Sequence, residues 1–346
     1  LDTQDFEVLK QSYEELFPYE PIFFLDEIQN VPNWEKFARR LADQKYKVYI
    51  TGSNAKMLSG EIATTLGGRF FMHNIYPYSF KEYLNASNIA IPDNLDYQNN
   101  SEIIRTFAQY FTFGGMPELH DVPPIEKRLW LSSLYNKIFF GDLISRYSIR
   151  NDMALKVLVR KLADSVKQPT SFNRMANVVS STGQKIKTDT VIEYLKYLEE
   201  TWLIFSIENI SSKLNDKVSN KKYYFIDNGI LNLFLTDGNT SLFENMLAIH
   251  LRHHYAHELF YYLKDVEVDF YLYDSQIAIQ ACYNMSDIST RNREVGDLIK
   301  FAKVFPCKKL YIVTNDEEYE MEESGFKISV VPLWKFLILD CLKTKV

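Results

Sequence analysis

The stretch Ile22-Phe23-Phe24-Leu25-Asp26-Glu27 decides how the N-terminal part of the chain is read. Four consecutive apolar residues suggest a central parallel strand covered on both faces, since a strand with one wet face would alternate. The strand ends in two adjacent carboxylates. In an open α/β sheet the carboxyl ends of the strands form the ligand-binding edge, so Asp26 and Glu27 are delivered to it. Downstream, Pro32-Asn33 marks a helix start, and Trp34, Phe37, Ala38 and Leu41 follow at i, i+3, i+4 and i+7, one apolar face. A second strand, Lys47 to Ile50, runs into Thr51-Gly52-Ser53-Asn54, which a parallel neighbour would set beside the carboxylates. A helix from about Lys56 to Leu66 then stops at Gly67-Gly68, and Arg69 follows.

Carboxylates at such an edge suit phosphoryl transfer: one holds Mg²⁺, usually through water, and the other orients or deprotonates the attacking water. Asp26 and Glu27 fit those roles, and Arg69 is placed to reach a phosphate. Taken alone, an Asp-Glu pair at a strand end is more often a solvated loop, and Arg69 an ordinary surface arginine. The order of the whole set carries the functional reading.

Composition limits the alternatives. The chain has 346 residues, 46% hydrophobic and 15% aromatic, which supplies cores for two or three domains and excludes disordered and disulfide-scaffold classes. A net charge of −6 does not suit a protein that coats nucleic acid or an anionic membrane. The three cysteines, Cys282, Cys307 and Cys341, lack CxxC spacing and suit a reducing cytosol. The greasiest stretch, Trp334 to Leu342, is broken by Lys335 and Asp340, so no membrane span is expected.

The ordered residues Ile22 to Gln29, Trp34-Glu35-Lys36-Phe37, Thr51 to Ala55 and Gly67-Gly68-Arg69 resemble a prokaryotic family of AAA-type P-loop ATPases with a C-terminal domain of uncharacterised function. The resemblance continues through Gly114-Gly115-Met116-Pro117, Tyr224 to Gly229 and Glu267-Val268-Asp269-Phe270, so it covers nearly the whole chain. It implies that Asp26 and Glu27 are the Walker B pair, that Ser53 or Asn54 is the first sensor, and that Arg69 is an arginine finger. It also implies ATP and Mg²⁺ as ligands. The family's phosphate loop, GxxxxGK[ST], should precede Asp26 by several tens of residues, yet only 25 residues stand before it and no Gly-Lys pair occurs anywhere. Without that cradle, tight ATP binding has no electrostatic basis. The 346 residues are therefore expected to be inactive as an ATPase, and the non-Met start at Leu1 favours a trimmed N-terminus. A sheet lacking its first strand would carry an uncovered face or edge.

From about Tyr83 to Asn209 the pattern is mostly helical, with a polar loop at Asn94 to Ser101. Ser171 to Ser180, a turn at Ser181 to Lys187, and Thr188 to Trp202 read as helix-turn-helix. A strand at Leu203 to Ile207 suggests a winged helix. Its second helix offers Asp189, Glu193, Glu199 and Glu200, which oppose a DNA groove. Lys185 and Lys187 in the turn, with Lys213, Lys217, Lys221 and Lys222 on a wing, could touch phosphates. A structural or intersubunit role is expected ahead of sequence-specific DNA binding.

The C-terminal zone reads as a second α/β domain, with strands Tyr223–Ile226, Val268–Leu272, Ile277–Cys282 and Leu310–Thr314 and helices near Leu242–Tyr255 and Arg291–Val304. Glu244 on a helix and Asp269 at a strand resemble the restriction-endonuclease-like core. There a Glu-x-Lys motif completes a divalent-metal site. Gln280 stands where the second carboxylate belongs and Cys282 where the lysine belongs, so a degenerate site is expected. Arg291 and Arg293 could meet phosphate, although a solvated helix start is the plainer reading. His250, His253, His254 and His257 crowd one helical segment; lacking HExxH spacing, they read as a polar face titrating near neutral pH.

The expectation is an α/β multidomain chain. Residues 1–84 form a partial P-loop ATPase core, 85–209 a helical lid and winged helix, and 210–346 an endonuclease-like domain. The function expected is that of a cytoplasmic AAA-type ATPase family member with a protein partner or DNA. An arginine finger acting in trans implies a ring or dimer. The alternative is a nucleic-acid-binding or nucleic-acid-processing protein.

Overall fold

The computed structural model describes residues 3–28, 31–52, 64–92, 95, 100–211 and 220–339. Two compact units divide the chain. One ends at Ile75 and takes in Glu199–Trp202; the other comprises Tyr76–Leu198 and the chain from Leu203 on.

In the first unit, helix α1 (Thr3–Leu16) precedes strand β1 (Ile22–Leu25), helix α2 (Trp34–Asp43) and strand β2 (Lys47–Ile50). The apolar spacing predicted for α2 holds, since Trp34, Phe37, Ala38 and Leu41 are its buried residues. β1 and β2 pair in parallel, with Ile22 opposite Lys47 and Leu25 opposite Ile50. The parallel pairing agrees with the sequence reading, but the expectation of cover on both faces does not hold. One face packs, with Phe23 edge-on to Phe37 at 6.4 Å and to Tyr46 at 5.4 Å. The other face is exposed among the described residues: Phe24 is 74% exposed, Tyr49 55%, and the two rings stack at 5.0 Å. α2 can shield only one side of a two-stranded pair, so the continuous apolar run ends up half wet.

The second unit opens with helices α3 (Phe80–Ala86), α4 (Ser101–Phe113), α5 (Pro124–Asn136), a π-helical extension at Lys137–Ser145, and α6 (Asp152–Asp164). Next come the short strand β3 (Thr170–Ser171), helices α7 (Phe172–Ser181) and α8 (Thr188–Glu200), and strands β4 (Ile204–Asn209) and β5 (Asn220–Phe225). α7 and α8 are the helix-turn-helix of the sequence reading. α7 is capped by the Ser171 side chain, which accepts from the Arg174 amide. The remaining elements are α9 (Asn228–Asn232), α10 (Asn239–Tyr255), β6 (Leu259–Leu263), β7 (Glu267–Leu272), β8 (Ile277–Ala281), α11 (Ile288–Ala302), β9 (Lys309–Thr314), β10 (Tyr319–Glu323), β11 (Phe326–Pro332) and α12 (Leu333–Ile338).

All strands of this unit lie in one mixed sheet of spatial order β10-β11-β9-β8-β7-β6-β4-β5-β3. β5 is antiparallel to both β4 and β3, and β4 joins β6 in parallel through Glu208–Phe260 and Asn209–Tyr261. The helix-turn-helix therefore hangs from the same sheet that carries the C-terminal strands. β6, β7 and β8 form a meander, and β8 runs parallel to β9 after the α11 crossover. The greasy stretch at Trp334 forms α12, whose Leu333, Trp334, Phe336, Leu337 and Ile338 are all buried.

Candidate functional site

In the first unit the in-register pairing of β1 and β2 brings Thr51 to the end of β1. Its amide donates to the Leu25 carbonyl at 3.0 Å, and its hydroxyl donates to Asp26 Oδ1 while accepting from the Glu27 amide at 3.2 Å. Asp26 and Glu27 are exposed in the turn beyond the strand, and Glu27 adopts a left-handed φ of 48°. A non-glycine residue there carries backbone strain, which the Thr51 contact helps to hold. Ser53 and Asn54 lie outside the described residues, as does most of the helix expected before Gly67. Gly67 and Gly68 have φ of 63° and 72°, the conformation a helix-ending pair requires. Arg69 follows them, and its Nε meets Asp43 Oδ1 at the end of α2 at 3.0 Å, both side chains about half exposed.

Two further segments picked out in the sequence, Gly114 to Pro117 and Tyr224 to Gly229, prove to be one structural joint. Gly114 ends α4 at φ 77°, ψ −165°, a region open essentially to glycine alone. A Cβ at Gly114 would fall on the Asp227 carboxylate. Asp227 accepts from the Gly115 amide at 2.8 Å through Oδ2, and from the amides of Gly229 at 2.8 Å and Ile230 at 3.3 Å through Oδ1, capping α9. Burial pushes its carboxyl up to about 6, opposed by those three amides. Asn228 and Asn245 complete the joint. The Asn228 amide donates to the carbonyls of Phe111 and Leu242, and Asn245 pairs with both backbone groups of Phe225.

The second cluster of charge lies under the large sheet. Glu244 on α10 and Asp269 on β7 do converge, but on a lysine. Lys222 of β5 is fully buried, and its Nζ lies 2.9 Å from Asp269 Oδ1, 3.1 Å from Glu267 Oε1 and 3.3 Å from Glu244 Oε1. The expectation that Lys222 lies on a wing and could touch phosphates fails. Successive strand residues face opposite ways, so Lys221 turns outward to Glu208 at 3.3 Å while Lys222 turns in. The Tyr224 hydroxyl donates to Glu244 Oε1 at 2.8 Å, and the Ala281 amide donates to Asp269 Oδ2 at 3.0 Å. Burial alone would lower the Lys222 ammonium; the carboxylates of Asp269, Glu244 and Glu267 hold it well above its ordinary value. Burial also raises Glu244, against the pull of Lys222.

Gln280 is buried beside this centre. Its Oε1 accepts from the Asp269 amide at 2.9 Å, and its Nε2 donates to the Glu267 carbonyl at 3.1 Å and to Glu294 Oε2 at 2.7 Å. Glu294, on α11, is a buried carboxylate that the sequence reading passed over, and Arg293 donates to its other oxygen. The Cys282 thiol is buried and pushed up to about 12, first by burial and then by Glu294. Arg291 lies over the Tyr319 ring at 5.5 Å.

The histidine reading needs one correction. His253 stacks on Tyr76 at 4.2 Å, its Nε2 is buried without a hydrogen-bond partner among the described residues, and burial lowers it to about 4. It does not titrate near neutral pH. Among the described residues, no group of three or more His, Cys, Asp or Glu stands ready to hold a metal ion, and no helix is long and apolar enough to cross a membrane.

A parallel strand pair with carboxylates beyond its end, and a second unit built on a nine-stranded mixed sheet, make the chain a mixed α/β protein. Residues 1–84 match the family described as AAA domain, and residues 104–241 match a domain of unknown function (DUF8612). An uncharacterized protein of Methanocaldococcus jannaschii is 34% identical over 328 residues, covering 90% of this chain and 74% of that protein. An uncharacterized protein of Haemophilus influenzae is 31% identical over 231 residues, covering 66% of this chain and 56% of that protein. The chain belongs to the family of the Methanocaldococcus jannaschii protein, an AAA-like family by its N-terminal domain.

Proposed function

We propose that the chain is an AAA-type ATPase module that handles the magnesium and attacking-water end of ATP hydrolysis at Asp26, Glu27 and Thr51. The observation that supports it is the Thr51 hydroxyl bonded to Asp26 across two parallel, in-register strands. Bound Mg·ATP would supply the γ-phosphoryl group and the charge that draws it apart. Asp26 would hold the metal, Thr51 fixes the Asp26 carboxylate through its hydroxyl, and Glu27 would orient the attacking water. Ser53 or Asn54 serves as sensor. Arg69 serves as the finger once it leaves Asp43, an exposed pair of the kind worth under about 1 kcal/mol. The 346 residues contain no Gly-Lys-Ser or Gly-Lys-Thr, so the phosphate cradle must come from another segment. Magnesium-dependent phosphate release from the purified 346-residue chain, abolished by Glu27→Gln, would show that the cradle is not needed.

A second reading rests on the second unit. The order α10-β6-β7-β8-α11-β9, with Glu244 and Asp269 converging, supports a restriction-endonuclease-like domain, and α7, α8, β4 and β5 support a winged helix. The engagement of both Asp269 oxygens by Lys222 and the Ala281 amide favours a degenerate nuclease centre. Nicking of supercoiled DNA with Mn²⁺, lost in Asp269→Asn, would restore the active-nuclease reading.

A further inference from the structure

The degenerate reading explains what the centre has lost; the geometry points to what replaced it. We propose that the Lys222 ammonium permanently occupies the place of a divalent cation between Glu244 and Asp269, so that the centre needs no metal and excludes one. An ammonium has three N–H donors. Two are matched by hydrogen bonds, to Asp269 at 2.9 Å and Glu244 at 3.3 Å, and the Glu267 carboxylate pairs with the same ammonium at 3.1 Å. Lys222 arrives from β5, and its ammonium meets carboxylates carried by α10 and β7. Nothing of it is exposed, and the Tyr261 ring lies 5.7 Å from Nζ, a further contact suited to a cation.

The outer contacts are those of a finished ion site. Tyr224 donates to Glu244, the Ala281 amide donates to Asp269, and Gln280 holds the Asp269 amide and the Glu267 carbonyl. The Glu244 and Asp269 carboxylates are thus oriented toward one point, and the occupant of that point is a side chain. A fully buried ammonium among three carboxylates leaves no room for a second cation. Without the lysine stem, the same hard oxygens surround a vacancy. Closing in from roughly 3 Å to about 2.1 Å would give the bond length Mg²⁺ takes from carboxylates, and Mn²⁺ suits the same oxygen ligands. Glu267, whose side chain is 43% exposed, opens the route from solvent.

The proposal rests on the convergence of Glu244 and Asp269 and does not depend on nuclease or ATPase activity. The test is Mn²⁺ binding by the full chain, read from the loss of the free-ion electron paramagnetic resonance signal and from thermal melting in MnCl₂ against EDTA. The native chain is expected to bind no Mn²⁺ at this centre and to melt identically in both. Lys222→Ala is expected to bind one Mn²⁺ per chain, to melt about 5 °C higher at a hundredfold excess of metal over Kd, and to lose both effects with Asp269→Asn. If Lys222→Ala is insoluble in metal-free medium, recovery of soluble protein with Mn²⁺ in the growth medium supports the proposal. Continued insolubility there overturns it. So does Mn²⁺ binding by the native chain that Asp269→Asn removes, or a folded Lys222→Ala that binds none.

Discussion

Gly114→Ala should be among the most damaging single-methyl additions in the second unit. Gly114 sits at φ 77°, ψ −165°, where an L side chain costs about 1–3 kcal/mol. The new Cβ would also fall on Asp227, which cannot step aside without releasing the amides of Gly115 (2.8 Å), Gly229 (2.8 Å) and Ile230 (3.3 Å). Losing even one buried hydrogen bond to a charged acceptor costs about 1.5–3 kcal/mol. Strain and one or two lost bonds together give about 4–6 kcal/mol, or a fall in melting temperature of roughly 10–15 °C for a unit of this size. Urea unfolding followed by circular dichroism reads the loss as a shift in midpoint at constant slope. Gly141→Ala is the control: nothing lies within 4 Å of its added Cβ, and the change should be neutral or slightly stabilising. Because Gly114→Ala and Asp227→Ala disrupt the same bonds, the double variant should lose at least about 2 kcal/mol less than the sum. A Gly114→Ala chain within about 1 kcal/mol of the native one, or strict additivity, would refute the reasoning.

Further outcomes follow from other sites. His253 is lowered to about 4 when folded and titrates near 6.5 when unfolded, so the unfolded chain takes up the extra proton between those values and stability falls as pH drops through that window. The loss is up to about 3 kcal/mol. His253→Phe should flatten that acid-side decline relative to the native chain, and the opposite contribution of Asp227 cancels in the comparison; identical pH profiles in thermal melting would count against it. The Cys282 and Cys307 thiols are both pushed up to about 12 by burial, so neither should react with iodoacetamide at pH 8 until denaturant is added; labelling of the native chain at either site, read by peptide mass spectrometry, would contradict this. Phe24→Ser on the exposed face of β1 should raise solubility without lowering the unfolding midpoint, and a lower midpoint would mean that this face is covered. Lys222→Met should cost about 3–5 kcal/mol through the uncompensated carboxylates, part of it recovered by Asp269→Asn in the same chain; equal stability of Lys222→Met and the native chain would dissolve the ion cluster as a structural element.

Local pattern was enough to read α2, β1 and β2 of the first unit from sequence, but helix α1 (Thr3–Leu16) went unread. The spacing of Trp34, Phe37, Ala38 and Leu41 gave α2, the apolar tetrad Ile22–Leu25 gave β1 and the short run Lys47–Ile50 gave β2, because each depends only on its own residues. The cover over β1 could not be read, since a run of apolar residues does not say whether a second layer exists. In the second unit β6 escaped notice because Leu259–Leu263 follows directly on the histidine tract without a turn signal. The β10–β11 hairpin was within reach: Ser324-Gly325, at φ 53° and 81°, is the left-handed pair a two-residue turn requires. Lys222 could not be placed from sequence, because its three carboxylate partners are 22 to 47 residues away and meet it only across the assembled sheet. The same holds for Asp227, whose Gly115 partner lies 112 residues back. Long-range electrostatics, not local propensity, separates what could be foreseen from what could not.

The most direct test of the central claim is ATP hydrolysis by the 346-residue chain alone and with a strand and GxxxxGK[ST] loop placed ahead of Leu1, each with and without Glu27→Gln. The expected result is no Mg²⁺-dependent phosphate release from the chain alone, release once the loop is present, and its loss in Glu27→Gln. Hydrolysis that persists in Glu27→Gln, or a loop-bearing chain that binds ATP tightly yet gains no activity, would contradict the assignment of Asp26, Glu27 and Thr51 as the magnesium and water end of the site.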